Sequence, residues 1–229
     1  MTQTLKLISS MATRELLAEM VSLYERQSGQ SIVSEAAGGV DVAKRVQAGE
    51  VMDVVVLASN AIDKLITDNK LLAGCRVDLA KSGIAAAVKQ GSETPDMHSE
   101  AAVKNAVQRA RTLSYSTGPS GVYLEKMFER WGILEAIRPR IVVPPPGVPV
   151  ASLVAGGSVE LGFQQLSELM NVPGVRVVGP LPPAIQSMTT FSGGVAAGCG
   201  SPSAARALLD YMASPALSEL KRRQGMEAA

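Results

Sequence analysis

Aromatic and histidine side chains are scarce in this chain of 229 residues. Phe, Trp and Tyr together make up 3% of it, and His98 is its one histidine. So few aromatic side chains leave little for nucleic-acid bases or sugar rings to stack on. We interpret the polar stretch GSETPDMHSE around His98 as a surface loop. With a single histidine, the chain does not have the residues needed for a zinc-hydrolase site or a Ser-His-Asp triad.

Cysteine and net charge are also low. Cys75 and Cys199 form no metal-ligand spacing, so we expect no metal and no cofactor. Isolated cysteines are more often buried small hydrophobes than disulfide partners, although a bridge stays open because spatial separation decides it. The formal net charge is +1, from 22 Lys and Arg against 21 Asp and Glu. That balance gives no basic surface for nucleic acid or an anionic membrane.

Long apolar runs are missing. No stretch of about 18 apolar residues exists, so we expect no membrane-spanning helix. The chain enters a strand-like segment within a few residues of Met1, and we therefore predict no signal peptide. The expected location is cytoplasmic if Met1 is the native start, and periplasmic if a leader was removed.

The sequence does contain a regular alternation of strand-like and helix-like segments. Short apolar or β-branched runs predict strands at 5–9, 31–35, 54–57, 84–88, 112–116, 140–143, 161–164, 175–178 and 194–197. Helical spacing of apolar residues predicts helices at 13–28, 42–48, 61–69, 101–110, 122–131, 148–155 and 202–212. This order predicts an α/β protein with parallel sheet and helices on its faces.

Two extended segments, 78–85 and 189–195, carry Gly or Ser positions able to bend. If the chain crosses between two α/β units there, one lobe comprises 1–81 plus 193–229 and the other 82–192.

The sequence resembles the solute-binding proteins related to periplasmic molybdate-binding proteins. The resemblance runs nearly end to end and depends on the order and spacing of LISSMATRELL, RVQAGEVMDVVVLAS, STGPSGVYLEKMFERWGI, ELGFQQLSELMNVPGVRVVGPLP and FSGGVAAGCGSPSAARALLDYMASPALSELKRRQGME. It implies a type II periplasmic-binding fold, with two α/β lobes, a two-strand hinge and an inter-lobe cleft that holds the ligand. It also implies that a polar residue near Gln164 reaches the ligand, where the alternative is a buried Gln bonded to backbone.

Ligands of open α/β sheets bind beyond the carboxyl ends of the strands. Four such junctions, 9–13, 37–40, 116–121 and 146–148, are rich in small or polar residues and lead into helix N-termini, which favour anions. Any one junction taken alone is better explained as a helix cap or turn, but several junctions directed at one cleft favour ligand binding. The predicted ligand-binding residues are Ser9, Ser10, Met11, Thr13, Arg14, Gly38, Gly39, Ser116, Gly118, Ser120, Gly121 and Gln164.

Two charged side chains stand near these junctions. Arg14 lies in the first turn of a helix, where a cation is unfavourable; it either clamps a carboxylate or is a solvated surface residue. We predict that Asp41 is the N-cap of the second helix, with a weaker alternative as general base.

The chain departs from the molybdate pattern at two positions. Met11 and the Gly39-Val40-Asp41 stretch replace ligand-contacting serines. Losing hydroxyls and adding a carboxylate weakens capture of a tetrahedral oxyanion, so an organic carboxylate becomes the more plausible ligand.

Two functions remain open. The first is a binding protein that captures a small anion by hinge closure, as in ABC transport, with a transporter permease as partner if the protein is exported. The second is an enzyme, because the sequence also resembles aconitate isomerase, which carries out an allylic proton shift on a tricarboxylate. That chemistry needs a base and carboxylate clamps.

Overall fold

The computed structural model describes residues 3–145 and 147–229. The chain divides into two compact units, Met1–Lys81 with Thr189–Ala229 and Ser82–Met188. It leaves the first unit within strand β4 (Val77–Lys89) and returns at the start of strand β8 (Met188–Val195). Each unit has its own hydrophobic core.

The first unit is built on a mixed sheet whose centre is strand β3 (Val54–Ala58). Its sequence VVVLA is buried throughout, as expected for a strand covered on both faces. Strand β1 (Leu5–Ser10) pairs in parallel with both β3 and β2 (Ile32–Ala37), and β8 runs antiparallel to β3. Strand β9 (Glu227–Ala228) pairs with the first part of β4.

Five helices belong to this unit: α1 (Arg14–Ser28), α2 (Gly39–Gln47), α3 (Ser59–Thr67), α9 (Pro202–Ala213) and α10 (Ser218–Arg223). Close helix packing requires glycine in β8. A Cβ on Gly193 would lie 2.2 Å from Cδ2 of Leu209 on α9. A larger residue there would force the Leu209 side chain or the helix to shift.

The second unit has a smaller mixed sheet. The second part of β4 runs antiparallel to β6 (Leu161–Gln165) and β7 (Val175–Pro180), while β5 (Leu113–Tyr115) is parallel to β6. Its helices are α4 (Glu100–Arg109), α5 (Pro119–Arg130), α6 (Leu134–Ile137), α7 (Val150–Gly156) and α8 (Leu166–Leu169). Two aromatic residues, Phe128 and Phe163, pack edge to face and are fully buried in its core.

The predicted alternation of strands and helices is confirmed, with two corrections. The sheets are mixed rather than parallel, because β4 and β8 run against their neighbours. The strand predicted at 140–143 is absent: Arg138–Arg140 forms a 3₁₀ turn and Ile141 makes a single bridge to Leu113. Prolines at 139 and 144 lack the N–H groups that a longer ladder needs.

The remaining rare residues lie where the sequence predicts. Cys75 and Cys199 are both buried and unpaired, so the small-hydrophobe interpretation is confirmed and the bridge is not formed. His98 is exposed in the loop before α4, bonded to Asp96. In the described part of the chain, no helix combines the length and apolar character needed to cross a membrane.

Candidate functional site

Three parallel strands of the first unit end at the same edge of its sheet. The register pairs Ser10 with Ala37 at the ends of β1 and β2, and pairs Ser9 with Val56 near the end of β3. Helices α2 and α3 begin directly beyond this edge, and a 3₁₀ turn, Met11–Thr13, leads into α1. The first two predicted junctions therefore meet here: a Cβ on Gly39 would lie only 3.5 Å from Cβ of Ser10.

The three hydroxyls at this edge differ in their hydrogen bonds. Ser9 and Thr13 both donate to the backbone carbonyl of Ser10, at 3.3 and 3.1 Å. The hydroxyl of Ser10 itself is buried and has no partner within the described chain. A buried polar group without a partner costs about 1–3 kcal/mol. Ser10 is thus the hydroxyl that a ligand would satisfy.

The helix N-termini at this edge carry no side-chain caps. The N-cap of α2 is Gly38, and neither α2 nor α3 has a side-chain hydrogen bond at its N-cap. Helix α4 shows the contrast, because its N-cap Ser99 accepts a bond from the N–H of Ala102. Helices α2 and α3 therefore start without a capping side chain. The first-turn N–H groups of α2 are left for another acceptor.

The two charged candidates are placed differently from one another. Arg14 forms an ion pair with its neighbour Glu15 at 2.7 Å, and its side chain is 56% exposed, as expected of a solvated surface residue. The prediction that Asp41 is the N-cap of α2 is wrong. The extended backbone of Gly38 starts the helix earlier, so that Asp41 is its third residue, exposed and without a capping bond.

A second group of predicted residues lies in the second unit, after β5. The hydroxyls of Ser116 and Ser120 are 2.8 Å apart, and Ser120 is buried. Gly118 is the N-cap of α5, again without a side-chain bond. A Cβ on Gly121 would lie 1.6 Å from the carbonyl oxygen of Ser116, so glycine is required for this tight loop. The fourth predicted junction includes Pro146, which lies outside the described residues.

Gln164, near the end of β6, is 3% exposed and bonded on both sides. Its Oε1 accepts from the N–H of Ala151, and its Nε2 donates to Oε1 of Glu168 at 2.8 Å. Burial raises the pKa of Glu168 to about 7, against hydrogen bonds from Gln164 and from the backbone N–H of Gln165 that favour the ionised form.

Sequence reasoning missed Glu168. The signal available was an acidic residue three positions after a buried strand, in QQLSEL. Its neighbour Ser167 has a buried hydroxyl without a partner among the described residues. Both follow β6 at the same edge as the loop after β5, because β5 and β6 are parallel and in register.

Large apolar side chains are exposed beside the helix N-termini. Val40, the second residue of α2, is 46% exposed, and Val122, in the first turn of α5, is 50% exposed. These N-termini therefore present N–H groups next to hydrocarbon surface.

Other parts of the described chain show weaker evidence of a functional site. No three His, Cys, Asp or Glu side chains in residues 3–145 and 147–229 are arranged to hold a metal. A surface cavity of about 420 Å³ in the second unit is lined by residues that include Lys89, Arg111 and Glu160. It lies at the opposite end of β5 and β6 and contains none of the predicted residues.

Comparison with known proteins gives a family match over residues 5–227, to bacterial extracellular solute-binding proteins. An aconitate isomerase of a Pseudomonas species is 37% identical over 219 residues, covering 92% of this chain and 82% of that protein. The molybdate-binding protein ModA of Azotobacter vinelandii is 24% identical, covering 91% and 84%. The solved structure of an Azotobacter vinelandii periplasmic molybdate-binding protein superposes with a TM-score of 0.81 at 18% identity, covering 97% of this chain and 98% of that chain.

Proposed function

Because this chain belongs to the bacterial extracellular solute-binding proteins, we propose that its ligand is a small organic anion with more than one carboxylate. The observation that carries the proposal is the buried, unpartnered hydroxyl of Ser10 beside the uncapped N-terminus of α2. A carboxylate oxygen would accept from both. Within the second unit, the Ser116–Gly121 loop at the start of α5 offers hydroxyl and N–H donors of the same kind.

The exposed valines favour an organic ligand over an inorganic oxyanion. Val40 and Val122 each stand within the first turn of a helix whose N–H groups are free of side-chain caps. A tetrahedral oxyanion is polar on every side and gains nothing from hydrocarbon surface. A polycarboxylate has a carbon skeleton between its charged groups, and burial of that skeleton contributes about 25 cal/mol per Å².

We also propose a second function, isomerisation of the bound ligand. It is favoured by the relative that is an aconitate isomerase, at 37% identity over nearly the whole chain. An aconitate-type tricarboxylate has the several carboxylates and the carbon skeleton of the proposed ligand. Its allylic proton shift moves one C–H bond and one double bond, which requires a base and fixed donors for the carboxylates.

Transport is the alternative to catalysis. In that case the protein captures the anion by hinge closure and delivers it to an ABC transporter permease. The two functions share the ligand and differ in whether it leaves unchanged.

A thermal-shift series tests the ligand class. The full chain is melted with cis- and trans-aconitate, the saturated tricarboxylate tricarballylate, molybdate and sulfate, because a ligand that binds only the folded state raises the melting temperature. We expect the tricarboxylates to raise it and the inorganic oxyanions to leave it unchanged. A shift with molybdate alone would contradict the proposal.

Turnover is measured on the same samples. Incubation of trans-aconitate with the protein should yield the cis isomer, followed by NMR. Binding without conversion at high protein concentration would remove the enzyme and leave the transport function.

A further inference from the structure

We propose that Glu168 is the catalytic residue that takes up the substrate proton and returns it. This inference rests on the isomerase function proposed above, for which the chain needs a group able to carry a proton between two carbon atoms.

Position is the first argument. Glu168 is in α8, which follows β6 directly, and ligands of α/β sheets bind beyond such strand ends. Its side chain is part-buried, so it is reachable but shielded. The preceding residue, Ser167, has a buried hydroxyl without a partner among the described residues, and this hydroxyl is a candidate donor to a substrate carboxylate.

The way Glu168 is held is the second argument. Gln164 is fixed by the N–H of Ala151 and donates to one carboxyl oxygen of Glu168 at 2.8 Å. This bond fixes the orientation of the carboxyl group without supplying a positive charge. Within the described chain Glu168 has no ion pair, whereas Glu15, Glu35 and Glu160 are each paired with an arginine.

The surroundings of Glu168 are otherwise apolar. Helix α8 packs on β6 and β7 and shares an apolar cluster with Ala85, Ala87 and Ala151. Strand β6 and helix α7 carry no charged side chain. The one charged residue of β7, Arg176, is exposed and donates to Thr94. Burial without a cation raises the pKa of Glu168 to about 7, which suits a group that must both accept and return a proton near neutral pH.

The proposed step balances with no further reactant. A lone pair of the Glu168 carboxylate takes a proton from the CH₂ carbon of the tricarboxylate. The C–H electron pair spreads over the three allylic carbons and the attached carboxylates. The protonated Glu168 then returns the proton to the other end of the allyl system, so that the double bond moves by one carbon and the carboxylate is restored.

The test compares the full-length wild type with Glu168→Gln, which has the same size and an amide oxygen that still accepts from Gln164. We expect turnover of trans-aconitate to fall by at least about 100-fold, the usual contribution of a general acid–base group. Tricarballylate should still raise the melting temperature of the variant. The matched control is Glu135→Gln, on the exposed surface of the same unit, which should keep wild-type turnover.

A shift of the pH profile separates catalysis from a structural role. The kcat/KM of the wild type should rise with pH through an apparent pKa near 7, since the ionised carboxylate is the base. Glu168→Asp retains a carboxyl group but moves it, so this limb should shift while the protein stays folded. If Glu168→Gln does not fold, Glu168→Asp carries the test.

The outcomes identify which idea has failed. An active wild type with an equally active Glu168→Gln variant overturns the assignment and keeps the isomerase. If Asp41→Asn is then inactive, the base lies at the edge of the first unit. A wild type that binds aconitate without converting it overturns both.

Discussion

Replacing Ser10 by Ala should have opposite effects on stability and on ligand binding. Ser10 is 6% exposed, and nothing in the described chain accepts from its hydroxyl or donates to it. The free protein therefore loses hydration of this group on folding without a compensating hydrogen bond. Alanine removes the unsatisfied group and leaves little empty volume.

The magnitude follows from the cost of such a group. Removing it should stabilise the free protein by about 1 kcal/mol, which corresponds to about 2–4 °C for a chain of this size. The same change removes a donor to an anionic ligand, and hydrogen bonds to charged groups contribute about 1.5–3 kcal/mol. The dissociation constant should therefore rise by about 10- to 100-fold.

Ser82→Ala is the matched control for the stability effect. The hydroxyl of Ser82 in β4 is also buried and unpartnered in the described residues, but Ser82 is not at a strand end that leads into a helix. Thermal melting should show that both variants are stabilised, and calorimetric titration with tricarballylate should show weakened binding in Ser10→Ala. If Ser10→Ala is less stable than the wild type, or binds as tightly, the reasoning about this hydroxyl is refuted.

Three further predictions concern stability. Gly121→Ala should cost about 3 kcal/mol or more in the free energy of unfolding, because its Cβ would lie 1.6 Å from the Ser116 carbonyl oxygen. Gly118→Ala, with its nearest contact at 3.8 Å, should cost about 1 kcal/mol or less, the usual difference between glycine and alanine at an N-cap, and thermal melts compare the two variants. Since the pKa of Glu168 is raised from 4.5 to about 7, the folded state binds the extra proton in this window, and stability should fall by about 3 kcal/mol as pH rises through it. Urea titrations at pH 4.5 and 8 should show that Glu168→Gln loses this slope; an unchanged slope would contradict it. Lys221 is 1% exposed, and burial lowers the pKa of its ammonium group. Lys221→Met should therefore raise the melting temperature at neutral pH. A decrease would show that the ammonium group has a partner.

Much of the fold was predictable because local patterns encode it directly. The run VVVLA of β3 is β-branched and continuous, and it is buried on both faces as such runs usually are. Strand direction was not predictable in the same way. The period of side chains is identical in parallel and antiparallel strands, so the apolar stretch of β8 does not show that it runs against β3. That direction is set by the path of the chain between the two units.

The site was predictable as a set of positions but not as a set of contacts. Small and hydroxyl residues after strands 1 and 2 pointed to Ser10 and Gly39, which do lie together. The sequence did not distinguish Ser10 from Ser9, because the difference lies in which hydroxyl finds a backbone carbonyl. The N-cap of α2 lies three positions before Asp41, at Gly38, which starts the helix without a capping side chain. Glu168 was missed because burial, which raises its pKa, depends on the whole second unit.

The proposed ligand connects binding with catalysis on one scaffold. Donors that hold the carboxylates of a tricarboxylate also face the atoms onto which charge spreads when an allylic proton is removed. They accelerate the reaction only to the extent that they bind this spread charge more strongly than the ground-state carboxylates. A solute-binding site built from N–H and O–H groups therefore needs one addition to become an isomerase, a carboxyl group near the substrate that changes protonation near neutral pH. Glu168, oriented by Gln164 and free of any cation in the described chain, has the chemistry of that addition.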